Sequence, residues 1–456
     1  MPQKFRISSS KSIIAVAVLA GFSGLPAVAI GMDLSTAARE ALQFDATFLA
    51  ARKKAEADAT RFGQGLGLLL PSASLSTNRT RTDFDASSDA NNATTPIEDY
   101  SGRYGNTYSL TLTQPLFRLD RIASFNQKRE ESKAGEANFA QARVDALLRV
   151  TQAYFDVLVA QDTLTSAQSE LKAIGEQLES AKRNFEVGTA TITDQQEAQA
   201  RFDLATAKLS VAQNDLNVKR NSLEQLVGKP LPKSLAGLRD QVAIKMPEPL
   251  NVDRWVEQAR SGNLKVQAAQ STAEIARQEV TRTISADNLP SIDLVAKRVR
   301  VDPYRSGGQR YDQADTDTIA IEMTLPLFNG GIAYNKAKEV IALRDKSNFD
   351  LENERRIAEQ SARTSFLNVL AGLAQVKAFE AAEKSSRLAL ESNLLGYEVG
   401  VRINIDVLNA QQQLFTTQKD LSKARYDTLI NSLKLKAAVG ALGESDIDDI
   451  NGLLAK

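Results

Sequence analysis

Two runs of the chain alternate strictly between apolar and polar positions. Tyr108, Leu110 and Leu112 alternate with Ser109, Thr111 and Thr113, and Ile319, Ile321, Met323 and Leu325 alternate with Ala320, Glu322 and Thr324. A period of two predicts a strand with one apolar side. Each run has a strand-like companion upstream. "PSASLSTNRTRT" (71–82) precedes "YGNTYSLTLTQPLF" (104–117), and "PSIDLVAKRVRV" (290–301) precedes "DTIAIEMTLPLF" (317–328). Polar loops at 83–103 and 302–316 join the two pairs.

Elsewhere the period is helical. Phe366, Val369, Leu370, Leu373, Val376 and Phe379 recur at helical spacing, as do Tyr426, Leu429, Ile430, Leu433 and Ala437. No Pro occurs between Pro115 and Pro230 or after Pro326, and both blocks are rich in Ala, Leu, Gln, Glu and Lys. Gly188 and Gly400 interrupt the blocks near their middles, each followed by residues suited to capping a new helix. Each block therefore reads as a helical hairpin. Its first arm, about 118–186 in the first block, is about 100 Å long at 1.5 Å per residue. The second arms run to Val-Gly at 227–228 and 439–440, and shorter helical segments, about 33–65 and 252–285, precede the strand pairs.

The hairpin tips expose a duplication. "FEVGTATITDQQEAQARFD" (185–203) returns as "YEVGVRINIDVLNAQQQLF" (397–415), 212 residues later. The fold class is thus mainly α with a small β part, built as an internal two-fold repeat. The first repeat occupies 30–250, with strand pair 71–117, helical hairpin 118–228 and a Pro-rich connector. The second occupies 251–456, with strand pair 290–328, hairpin 329–440 and a C-terminal tail.

Composition narrows the function. Basic and acidic residues balance at 56 each, which gives no basic field for nucleic acid. The chain has no Cys and no His, which removes thiol and imidazole chemistry and the usual zinc ligands. No phosphate-binding loop appears, and no enzyme activity or cofactor is expected. Residues 1–29 read as an export signal: Lys4, Arg6 and Lys11, then the apolar "IIAVAVLAGF", then "AVA" at 27–29. No later apolar run is long enough for a membrane helix.

Strands of this length, apolar on one side, suit a β-barrel in an outer membrane. Four strands cannot close a barrel, and open edges in lipid leave backbone groups unsatisfied. Three chains would supply twelve strands and a lumen, in a homotrimer with a ring-closing interface. The competing reading is a pair of exposed hairpins on a helical stalk in water. The helical hairpins would continue the barrel as a hollow cylinder. A filled coiled coil is the alternative, but the Ala/Leu stripes look broad and irregular rather than heptad.

At this point the chain resembles the TolC family of outer-membrane export ducts over nearly all of residues 30–456. The strongest match is "GYEVGVRINIDVLNAQQQLFTTQKDLSKARYDTLINSLKLKAAVGAL" (396–442), supported by "NFEVGTATITDQQEAQARFD" (184–203). The resemblance implies a trimer in the outer membrane of a Gram-negative bacterium, with a helical tunnel crossing the periplasm. It implies a periplasmic gate in which inner-coil Tyr397 and Arg402 bond to outer-coil Asp194 and Thr193. It implies an entrance constriction at Asp406; a second acid of the family is replaced here by Asn409, which weakens the case for cation binding. It also implies that Val187, Gly188, Thr189, Val399, Gly400 and Val401 form tips that meet a periplasmic adaptor protein. The remaining partners implied are outer-membrane lipid and an inner-membrane ABC transporter or proton-driven efflux pump.

Plainer roles compete for the same residues. Asp194 opens "DQQE", which has capping-box spacing, and Asp406 suits the first turn of a helix. Tyr397 and Arg402 read alone as surface helix residues, and the tip triplets as simple helix ends. The functional expectation is the exit duct of type I (ABC transporter) protein secretion. Drug or metabolite efflux is the second reading, and a surface coiled-coil protein without a pore is the third.

Overall fold

The computed structural model describes residues 32–82, 103–239, 242–306 and 309–455. The export signal read over 1–29 and residues 83–102 of the first polar loop lie outside them. The elements are α1 (Leu34–Phe44), α2 (Ala46–Gly67), β1 (Ser72–Thr82), β2 (Arg103–Phe117), α3 (Leu119–Glu186) and α4 (Ile192–Val227). Then follow α5 (Val252–Gly262), α6 (Leu264–Asn288), β3 (Ser291–Asp302), β4 (Tyr304–Ser306), β5 (Gln309–Tyr311), β6 (Ala314–Thr324), α7 (Ile332–Glu398), α8 (Asn404–Ala438) and α9 (Glu444–Asn451).

The helices form one layer of four columns. α3 packs against α4 on one side and α8 on the other, and α8 packs against α7. Nearer the strands, α2 replaces α4 beside α3, and α6 replaces α8 between α3 and α7. Two columns are therefore single helices of 68 and 67 residues, and two are stacked from shorter helices. The stacking corrects the sequence reading, which treats 33–65 and 252–285 as unbroken helical segments. Each is broken by a residue that caps the next helix. Asp45 accepts from the Thr47 amide, and Asn263 accepts from the amides of Lys265 and Val266.

The breaks make room for the ends of the hairpin arms. Gly228 ends α4 at φ +74°, and a Cβ there would lie 2.2 Å from the Phe44 ring. Gly440 follows α8 at φ +73°, and a Cβ there would lie 2.2 Å from the Gly262 carbonyl oxygen. The main core gathers at these junctions. Leu34, Tyr154, Phe155, Leu223, Leu433 and Ile447 are fully buried in it. The C-terminal helix α9, which the sequence reading leaves as tail, closes the core over α1: Ser35 donates to Asp448 at 2.6 Å.

The strands form one antiparallel sheet in the order β1-β2-β3-β6. Register places Leu75 opposite Leu110, Leu112 opposite Ala296, Ala296 opposite Ile319, and Leu294 opposite Ile321. These residues share one face, where Leu75 is 77% and Ile319 80% exposed. The other face carries Ser74, Ser76, Thr111, Thr113, Asp293, Lys297, Thr318 and Glu322. β6 stops at Thr324, short of the expected 328, and the second polar loop holds the small β4–β5 hairpin. Arg118, between β2 and α3, ties sheet to helices by pairing with Asp120 at 3.0 Å and Asp293 at 2.9 Å.

Candidate functional site

The two hairpin tips lie at the end of the layer farthest from the sheet. Both turn by the same backbone device. The Gly188 amide donates to Phe185 O and Thr189 to Asn184 O; Gly400 donates to Tyr397 O and Val401 to Gly396 O. This is the Schellman ending, which needs a left-handed residue. Gly188 and Gly400 supply it at φ +79° and +75°, with open space around each. Val187, Thr189, Val399 and Val401 stand exposed around them.

Beyond the turn the tips diverge. In the first, Thr191 and Asp194 form a reciprocal capping box: the Thr191 amide reaches Asp194 Oδ2 at 3.0 Å, and the Asp194 amide reaches Thr191 Oγ1 at 3.2 Å. Asp194 thus takes the third helical position, whereas the "DQQE" spacing predicts it as the cap itself. In the second tip the capping position is Ile403, which has no side-chain acceptor. Asp406 is left available and pairs with Arg402 at 3.6 Å. Arg402 lies against Gly396, where a Cβ would come within 2.6 Å of the arginine Cγ. The equivalent of Gly396 in the first tip is Asn184, which donates instead to the Tyr397 hydroxyl at 3.1 Å.

Within one chain, then, three of the four residues expected at the gate have separate partners. Tyr397 is held by Asn184, Arg402 by Asp406, and Asp194 by Thr191, while Thr193 is exposed. Asn409 does not stand alone beside Asp406: Arg201 of α4 donates to Asn409 Oδ1 at 3.1 Å and to Gln412 Oε1 at 2.7 Å. Deeper in, buried Gln177 on α3 donates to buried Asn404 on α8. The sequence reading does not single out Asn184, Gln177, Arg201 or Asn404, because their partners lie more than 200 residues away. One signal was present: at the 212-residue offset, Asn184 faces Gly396 and Thr191 faces Ile403, mismatches inside a matched turn.

Farther up the layer, Asp162 of α3 accepts from Ser422 and from the Tyr426 hydroxyl at 3.4 Å, both on α8. Burial pushes the Asp162 carboxyl above the ordinary range, and the two donors only partly offset it.

The two outer columns carry largely apolar seams that no other element covers among the described residues. On α4, Ala200, Leu204, Ala207, Val211, Asn214 and Val218 are all exposed. On α7, Leu367, Ala371, Ala374, Ala378, Ala381 and Leu388 are exposed. Both series begin with alternating steps of four and three, the spacing of a coiled-coil seam. This corrects the reading of irregular stripes: the heptads emerge once the positions buried inside the chain are set aside. Among the described residues no helix is long and apolar enough to cross a membrane.

The outer membrane efflux protein family matches twice, over residues 37–229 and 255–441, one match per repeat. The alkaline protease secretion protein AprF of Pseudomonas aeruginosa is 30% identical over 90% of this chain and 84% of its own length. The proteases secretion protein PrtF of Dickeya chrysanthemi is 27% identical over 96% and 94%, and the outer membrane protein TolC of Escherichia coli 29% over 76% and 72%. Among solved structures, CusC superposes with a TM-score of 0.76 at 17% identity, covering 91% of this chain and 93% of that one. The outer membrane protein VceC of Vibrio cholerae gives 0.74 at 20%, covering 89% and 96%. The long helical hairpins and four-stranded sheet are therefore a shared architecture, and the chain belongs to the outer membrane efflux protein family.

Proposed function

We propose that three copies of this chain close into an outer-membrane channel-tunnel that serves as the exit duct of a type I protein secretion system. Residues 1–29 are the export signal that delivers it. The observation that carries this reading is the pair of matching open edges. The helical layer ends in α4 on one side and α7 on the other, each with an exposed heptad seam. The sheet ends in β1 and β6. Neighbours alternate in direction across both layers, so α4 of one copy meets α7 of the next antiparallel, and β1 meets β6 likewise. A ring that closes this way leaves no open strand edge in lipid and encloses a lumen lined by the polar sheet face.

Cargo class rests on the relatives. AprF and PrtF are named for protease secretion and match this chain over most of its length. The partners of such a duct are a periplasmic adaptor, which meets the exposed tips, and an inner-membrane ABC transporter. Small-molecule efflux is the second reading, favoured by the family description and by relatives such as the Brucella suis efflux protein BepC.

In the closed ring, Tyr397 and Arg402 reach Asp194 and Thr193 across neighbouring hairpins, and Asp406 lines the narrowest point. Exposed charge-assisted bonds of this kind contribute about 1 kcal/mol each. Repeated around the ring they bias a two-state closure that an adaptor can reverse. Combining Tyr397→Phe with Arg402→Ser should raise single-channel conductance in planar bilayers; unchanged conductance would remove the gate assignment. Deleting the gene and comparing culture supernatants by quantitative mass spectrometry tests the cargo. Loss of one or a few large proteins supports secretion, and an unchanged supernatant moves the duct to efflux.

A further inference from the structure

The apolar sheet face changes character partway along its height. On β3, Ile292, Leu294 and Ala296 give way to Arg298 and Arg300; on β6, Met323, Ile321 and Ile319 give way to Asp317 and Asp315. Arg300 donates from Nε and Nη2 to Asp315 at 2.8 and 2.9 Å. Arg298 reaches Asp315 and Asp317 only at 3.6 Å, and its side chain is 59% exposed. A groove on this face is lined by Leu75, Tyr108 and Leu110 together with Arg298, Arg300 and Asp302. Its Arg298, Arg300 and Asp302 lie in the half of β3 away from the helices, because β2 enters α3 at the opposite end, and Leu75 and Leu110 stand level with Arg298.

Two guanidinium groups offer ten N–H donors, and the nearby carboxylates do not occupy them all. At the margin of a hydrocarbon layer, donors without partners are costly. A phosphate group supplies acceptor oxygens in the fork geometry that arginine matches. Leu75 and Leu110 provide the adjoining apolar seat for an acyl chain.

We propose that this groove binds a phosphorylated glycolipid of the outer leaflet, with phosphate on Arg298 and Arg300 and an acyl chain along Leu75 and Leu110. The assignment rests on the outer-membrane reading above, which puts the helices in the periplasm and this end of the sheet in the outer leaflet.

The test uses the purified full chain with three probes: lipopolysaccharide, the same material after phosphatase treatment, and phosphatidylglycerol. Lipid retained by the protein is measured by native mass spectrometry. Retention of the phosphorylated form should exceed that of the other two about tenfold, and Arg298→Gln with Arg300→Gln should remove the difference. Asp317→Asn takes away a competing carboxylate, keeps both arginines and should increase retention, so it decides the matter if the double variant fails to assemble. Equal retention of treated and untreated lipopolysaccharide, preference for phosphatidylglycerol, or an unaltered double variant would overturn the proposal. Conductance in neutral lipid is read separately. A silent wild-type protein that still retains the glycolipid would count against the channel and not against the lipid site.

Discussion

The two hairpin tips share one backbone turn and differ in how firmly the following helix is held. The first tip closes on itself: Thr191 and Asp194 satisfy each other's amides, and the acid is committed there. The second replaces that threonine with Ile403, so Asp406 pairs loosely with Arg402 instead, and Gly396 makes the space Arg402 occupies. The two turns share one backbone, and the exchange of Thr191 for Ile403 leaves the first helix start capped by a side chain and the second without that cap. The second tip carries Tyr397 and Arg402 of the proposed gate, and the first carries Asp194 and Thr193.

The sharpest way to separate turn from packing is to compare glycines at the two ends of the second hairpin. Gly440 and Gly400 have nearly the same φ, but only Gly440 is hemmed in, by the Gly262 carbonyl. Gly440→Ala should cost about 3 kcal/mol, from the left-handed backbone together with the clash, and Gly400→Ala about 1 kcal/mol. Apparent melting temperatures of the two variants would rank them; equal losses would mean the α8–α5 junction is not tight.

Exchanging the caps should produce the next largest effect. Thr191→Ile removes a capping box worth about 1 kcal/mol, so amides of residues 192–195 should exchange with deuterium about fivefold faster. Ile403→Thr should slow exchange at 404–407 and draw Asp406 away from Arg402. If both changes leave exchange unaltered, the tips do not differ in the way described.

A smaller effect is expected from Asp162, which joins α3 to α8 above the tips. Its carboxyl is raised by burial, so the folded chain favours the protonated form. Stability should therefore rise as pH falls from the raised value towards the ordinary carboxylate range, and level off above the raised value, where both states are ionised. Asp162→Asn should flatten that dependence and leave the junction more stable at neutral pH. An unchanged pH profile of melting would show that Asp162 is adequately solvated.

The sequence made the long elements legible because their punctuation is local. Gly188, Gly228, Gly400 and Gly440 each hold a positive φ at a helix end, and the alternation around Leu110 and Ile321 survives in β2 and β6. The breaks at Asp45 and Asn263 were harder to see, because the demand for them comes from the arms packed against them. The seams on α4 and α7 were masked by inward-facing apolar residues on the same helices. The links Asn184–Tyr397 and Arg201–Asn409 join halves of the chain whose relative placement no local pattern encodes.

In the proposed ring the α4 edge of one copy closes on the α7 edge of the next. Val211 and Ala381 both lie about 27 Å from their tips along those seams. The chain has no native cysteine, so Val211→Cys with Ala381→Cys gives a clean cross-linking pair. Mild oxidation in outer membranes should yield covalent dimers and trimers on a non-reducing gel, with neither single variant doing so. A double variant that remains monomeric under oxidation, while its membrane insertion is intact, would contradict the ring.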